Sequence, residues 1–393
     1  MAATHNPMRA STPPPAVSRT TIHMSGLLCD VYGLEELVAR EKRPSAVSCL
    51  WLHHPRLRAK EDMEDIASRV ISRWEEKSSS SSSSSSASGG GRALIAVAFD
   101  QQNHGTRTAS ATARDSWREG NKTHALDMWG MVAGMVADTK GLLDVVEGYV
   151  KMELGQRDGE AAEGWGIDQH LVLGVSLGGH SAWQTMFREE RVEAGVVIIG
   201  CPDYMGESLL LRRRRLHAHR GHVVVRALLS DRARLSKLST FSAQYNGASF
   251  LGSRDFPPDL VASCLRHDPK GILFGTGAVP APDSLTTEDN AEEQKRLGGV
   301  LDGLRLHGKK FLVCSGGEDK LVPYAMSAPF LEFLTAATGT WYRDAGVEVE
   351  NKVYEGVGHA FSEGMVEDSV RFLVDAVAGK DVGGVGAGEK SKI

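Results

Sequence analysis

In Gly174-Val175-Ser176-Leu177-Gly178 a single serine stands between two glycines, after the apolar run LVLGV and ahead of a stretch with helical spacing. A strand that turns into a helix over so few residues holds the serine in strained backbone, and a side chain at either glycine would collide with the neighbouring element. The serine oxygen is thrust out at the carboxyl edge of a sheet, where the Leu177 N–H and the positive end of the following helix can meet a developing oxyanion. A hydroxyl attacks only with a base to take its proton and a carboxylate to orient that base. Two later segments supply them in the order Ser, Asp, His. After FLVCSG comes Gly317-Glu318-Asp319, and after VEVENKVYE comes Gly358-His359-Ala360. Asp319, short and followed by Leu-Val-Pro, is the preferred carboxylate; Glu318 is the alternative. Of the 14 histidines, His359 lies in a loop directly after a strand, whereas His180, four residues past the serine, reads as a packing residue. A second oxyanion donor should come from the loop His53-His54-Pro55-Arg56. Pro55 has no N–H, so Arg56 N–H is the candidate. Asp100 to Gly105, after the next strand, either shapes the same rim or is a turn whose Asp and Asn cap their own backbone.

These residues need strands to carry them. Short strand-like runs at 93–100, 170–175, 193–201, 309–316 and 347–355 alternate with amphipathic stretches at 59–77, 127–150, from 177, 324–338 and 364–378. Such alternation predicts βαβ units and an α/β fold: a mostly parallel, doubly wound sheet covered on both faces. The core of the fold is expected over 19–201 and 309–378. Between them, at 202–308, the rhythm breaks down, which predicts a helical cap inserted between core strands. Residues 1–18 read as a disordered leader, 78–91 as a solvated loop built on nine serines and then Ala-Ser-Gly-Gly-Gly, and 379–393 as a flexible tail. Four successive arginines, Arg212 to Arg215, read as a solvated part of the insert rather than a phosphate patch.

At 393 residues with 41% hydrophobic and 24% charged residues and a net charge of −5, the chain has the balance of a soluble globular protein. Nothing global calls for nucleic acid or a membrane surface, and the longest apolar runs are far shorter than the roughly 20 residues that span a bilayer. Five scattered cysteines fit neither a disulfide framework nor a zinc site, which predicts a reducing, intracellular compartment. The final Ser391-Lys392-Ile393 is one conservative step from the S-K-L peroxisomal address, and a receptor is the partner it would imply. Otherwise the cytoplasm is expected.

The strand before HHP, the D-x-x-x-H-G turn, the GVSLGG elbow, the GxxDxxVP acid loop and the GxGHAF loop follow one another in order, over about residues 20 to 378. In this the chain resembles the α/β-hydrolase superfamily, and more narrowly the intracellular fungal hydrolases related to its peptidase-and-esterase branch. It departs from the superfamily pattern where the usual His-Gly reads His54-Pro55. The resemblance implies acyl transfer from a small-molecule ester or thioester through Ser176, His359 and Asp319, with no cofactor and no metal. An acyltransferase with the same triad, or a binding protein on the same fold, remains open at this point.

Overall fold

Strands form here from β-branched and aliphatic runs, and helices from the amphipathic stretches between them. The computed structural model describes residues 12–40, 42–81, 91–157, 163–206, 250–285 and 290–380. The first half of the chain runs β1 (Arg19–Met24), β2 (Leu27–Tyr32), α1 (Leu34–Val38), β3 (Ala46–His53), α2 (Glu64–Ser81), β4 (Arg92–Phe99), α3 (His124–Leu143), α4 (Val146–Arg157), β5 (Ile167–Val175), α5 (Leu177–Arg188) and β6 (Val192–Ile198). After an insert containing α6 (Pro258–His267), α7 (Pro269–Phe274), α8 (Pro282–Leu285) and α9 (Ala291–Gly303), the core resumes with β7 (Lys310–Gly316), α10 (Tyr324–Gly339), β8 (Glu348–Tyr354) and α11 (Glu363–Ala378).

The eight strands form one sheet in the order β1-β2-β4-β3-β5-β6-β7-β8. β2 pairs antiparallel with both neighbours, and all pairs from β4 to β8 are parallel. This is the expected α/β-hydrolase architecture, a mostly parallel sheet wound on both faces. Every residue of β3 and β4 is buried, as a sheet covered twice requires. Alternation along a strand sorts side chains between two cores. From β3, Val47, Cys49 and Trp51 join α5 (Trp183, Met186, Phe187) and α10 (Phe330, Phe333) on one face. Leu50 and Leu52 join α2 (Ile66, Val70, Ile71, Trp74) and α11 (Met365, Phe372, Leu373) on the other.

A third apolar cluster ties the insert to the carboxyl edge of the sheet. It packs Trp117, Trp129 of α3 and Tyr204 with Phe250, Phe256 and Leu260 against Leu177, the residue after the serine. The described part of the insert is therefore helical and lies over that edge.

Several elements depart from the sequence expectation. The β1–β2 hairpin has no counterpart in it, because the edge strand β1 mixes polar and apolar residues and Asp30 interrupts the apolar run of β2. The single helix expected over 127–150 is two, α3 and α4, which meet at Asp144, whose carboxylate is held by Arg191 at 2.6 Å. Strand 193–201 ends at Ile198; Ile199 takes a positive φ of 47° and leads the chain out into a loop. α2 runs into the serine tract, where the hydroxyls of Ser78, Ser79 and Ser80 return to the carbonyls of Glu75 and Lys77 and satisfy themselves on the helix. Residues 12–18 form neither helix nor strand, but Thr12 O is bound by Arg69 and Ser18 by Glu36. The rest of the leader, residues 82–90 of the serine and glycine run, Arg212 to Arg215 and the final Ser391-Lys392-Ile393 lie outside the described residues.

All five cysteines are buried and none is in a disulfide. Burial pushes the thiols of Cys29 and Cys314 up to about 12, and those of Cys49 and Cys264 further. Among the described residues no helix is long and apolar enough to cross a membrane.

Candidate active site

Ser176 sits between β5 and α5 with φ 55° and ψ −113°, a conformation an L-residue adopts only under constraint, and its N–H donates to Ile198 O at 2.8 Å. The constraint is the closeness of the turn. A Cβ on Gly174 would lie 2.0 Å from Gly178 O, and one on Gly178 would lie 2.0 Å from His53 O. Both glycines are required by close approach, as the spacing predicts. Leu177 opens α5, so its N–H has no acceptor within the helix.

The candidate acid follows β7 and the candidate base follows β8. Ser176 Oγ lies 2.8 Å from His359 Nε2, and His359 Nδ1 lies 2.8 Å from Asp319 Oδ2. A carboxylate accepts, so Nδ1 carries the proton and Nε2 is left to accept from the serine hydroxyl. The Asp319 side chain has no exposed surface, and its other oxygen accepts the N–H groups of Leu321 at 2.8 Å and Val322 at 3.0 Å. The two loops are stitched together: Gly317 N–H donates to Tyr354 O and Glu318 N–H to Val357 O. Glu318 itself is exposed, so of the two acids left open by the sequence it is Asp319 that meets His359. His180 is buried, donates from Nδ1 to Ser176 O at 2.9 Å and packs against Tyr204, which is the packing role expected of it.

On the other flank of the serine lies the loop after β3. Its entry is fixed by His53, whose ring nitrogens are each 3.0 Å from a hydroxyl, Ser181 Oγ of α5 and Thr139 Oγ1 of α3. Burial pushes this imidazole down to about 3. Leu57 then adopts φ 63°, a left-handed conformation that costs a leucine about 1–3 kcal/mol. Its N–H donates to His104 Nε2 at 3.0 Å, while Gln101 N–H donates to His54 Nε2 at 3.0 Å. Arg56, next to Leu57, donates from Nη1 to Arg114 O at 3.1 Å. Asp100 takes Thr106 N–H and Lys60 N–H, and Asn103 takes those of Ala109 and Ser110, so this turn both caps its own backbone and grips the neighbouring loop. Sequence reasoning missed the pairing of His54 with His104. Each contact joins residues 47 positions apart, and no periodicity announces it.

The wall over Leu177 is apolar and aromatic. Tyr204 OH donates to Ala125 O at 2.7 Å and Trp129 Nε1 to Ser263 Oγ at 2.8 Å, so the rings are oriented by polar tips as well as by packing. Among the described residues no group of three or more His, Cys, Asp or Glu side chains is placed to hold a metal ion.

No protein-family model matches the chain, and no curated protein does. Many solved structures are similar to it in chain path. One is TT1662 of Thermus thermophilus, with 16% identity over 93% of this chain and 100% of that one and a TM-score of 0.42. A second is the esterase Pf2001 of Pyrococcus furiosus, with 12% identity, 91% and 92% coverage and a TM-score of 0.39. A third is SOBER1 of Arabidopsis thaliana, with 13% identity, 85% and 99% coverage and a TM-score of 0.38.

Proposed function

We propose that this protein is a serine hydrolase that cleaves an ester or thioester of a small organic molecule. The observation that carries the reading is the unbroken line from Ser176 Oγ through His359 to Asp319, with both bonds at 2.8 Å and the serine in constrained backbone. His359 takes the serine proton as Oγ attacks the acyl carbonyl, and Asp319 keeps the imidazole in its Nδ1–H tautomer and balances the imidazolium. Leu177 N–H and an amide of the loop after β3, with Arg56 as the candidate, hold the oxyanion. The imidazolium then protonates the departing alcohol or thiol. A water molecule, deprotonated by the same imidazole, releases the acid and restores the serine. This reading groups the chain with the intracellular fungal hydrolases that its motifs resemble.

The test is labelling by a fluorophosphonate probe, native protein against Ser176→Ala, beside hydrolysis of p-nitrophenyl esters of rising chain length. Labelling that disappears in the variant supports an activated nucleophile. A folded native protein that neither labels nor turns over esters sinks the reading and favours a binding protein on the same fold. We further infer peroxisomal import from Ser391-Lys392-Ile393. The last ten residues fused to a fluorescent protein should give punctate fluorescence, and diffuse fluorescence refutes import by this tail.

A further inference from the structure

The loops after β3 and β4 make the same contact with each other twice, in opposite directions. His54 on the first accepts Gln101 N–H from the second at 3.0 Å, and His104 on the second accepts Leu57 N–H from the first at 3.0 Å. A main-chain amide can only donate, so each Nε2 must present a lone pair and each Nδ1 must carry the proton. Both Nδ1 protons have acceptors in place: Pro55 O at 2.9 Å and Gln102 O at 3.0 Å. The two rings meet edge to face with centroids 5.2 Å apart. Gln101 Nε2 donates in addition to His54 O, and Asp100 Oδ1 accepts Lys60 N–H at 3.0 Å, so the first loop is gripped at both ends by the second.

What is gripped is a segment in unfavourable backbone that borders the nucleophile. Leu57 holds φ 63° while its amide is bound by an imidazole. At the other end, His53 O and His54 O would stand 2.0 Å and 2.8 Å from a Cβ on Gly178, two residues past Ser176. We propose that His54 and His104 form a reciprocal clasp that positions the Pro55-Arg56-Leu57 segment against the nucleophile turn, with His104 as a positioning residue for the second oxyanion wall. The effect on turnover rests on the serine-hydrolase reading; the clasp itself does not. Burial, which lowers both imidazoles to about 4, keeps the acceptor lone pairs available above that pH.

The clasp separates from mere packing by geometry. Glutamine at 104 can bring an amide oxygen to the place of Nε2, asparagine of similar polarity cannot reach it, and leucine removes the acceptor altogether. The experiment compares His104→Gln, His104→Asn and His104→Leu in the full chain by amide hydrogen exchange at Leu57, by kcat and KM for a p-nitrophenyl ester, and by melting temperature. Leu57 exchange should quicken at least about tenfold in the Asn and Leu variants, with kcat falling about 10²-fold and KM changing little, the scale of a misplaced oxyanion donor. His104→Gln should recover most of both. Should His104→Leu fail to fold, the Gln and Asn variants decide between them. Wild-type exchange and kcat in His104→Asn, or a glutamine variant as impaired as the asparagine one, would overturn the proposal. If the native protein has no esterase activity and Ser176 does not label, the hydrolase reading fails on its own, and Leu57 exchange alone judges the clasp.

Discussion

The Nδ1 proton of His359 is committed to Asp319 Oδ2, while Oδ1 is committed to two loop amides. An asparagine at 319 fits the same space. Its oxygen is then claimed by the amides of Leu321 and Val322, and its NH₂ faces Nδ1, which forces the proton onto Nε2 and leaves no base for the serine. Asp319→Asn should therefore keep the fold and lower kcat by about 10⁴-fold, measured against the same ester series. At this scale the sequence was most informative. Ser176, Asp319 and His359 could be picked because each follows a run that reads as a strand and their order along the chain is one that brings strand ends together. Asp319 and Glu318 are separated only by the fold, since adjacent acids differ in which way the loop turns them. The histidine pair across two loops was illegible for the same reason: its logic lies in amides donated over a distance of 47 residues.

Among elements, the elbow is the tightest junction. β3, β5 and α5 meet where His53 O, Gly174 and Gly178 crowd together, so one added methyl at Gly178 must part the helix from the strand or tilt the turn. Gly178→Ala should destabilise the protein by about 1–3 kcal/mol, read from the denaturant midpoint. Its turnover should fall further than its stability, because the turn that yields is the one holding Ser176. A wild-type midpoint and kcat would show that the turn relaxes freely. The parallel core was readable since both faces are covered and its strands are nearly continuous in apolar residues. The β1–β2 hairpin was not, because its exposed positions dilute the pattern, as with Arg19, Thr21 and His23. The break between α3 and α4 carries no proline, and the apolar pattern runs through it without a mark; in the fold the exposed Asp144 between the two helices pairs with Arg191.

For the whole molecule, buried neutral histidines set the response to acid. Burial lowers His53 to about 3 and His54, His104 and His170 to about 4, below the ordinary value of 6.5. The unfolded chain takes up these protons as pH falls below about 6.5, whereas the folded chain does not until near pH 4. Stability that is fully present above pH 6.5 is thus lost as pH falls through that window, by up to about 1.4 kcal/mol per pH unit for each histidine. Asp268, whose carboxyl is raised well above its ordinary value by burial and by the Asp203 charge, works the other way. Urea midpoints at pH 7, 6 and 5 should fall steeply, and a flat series would show these rings charged in the fold. The buried thiols have a different use. Cys29 and Cys49 belong to one face of the sheet, Cys314 to the other, and Cys264 to the cluster under the insert. Each stratum of the interior thereby carries its own sealed reporter. The order in which an alkylating reagent marks them under mild denaturant records which stratum gives way first, a stratigraphy of opening that the native chain supplies without any engineered probe.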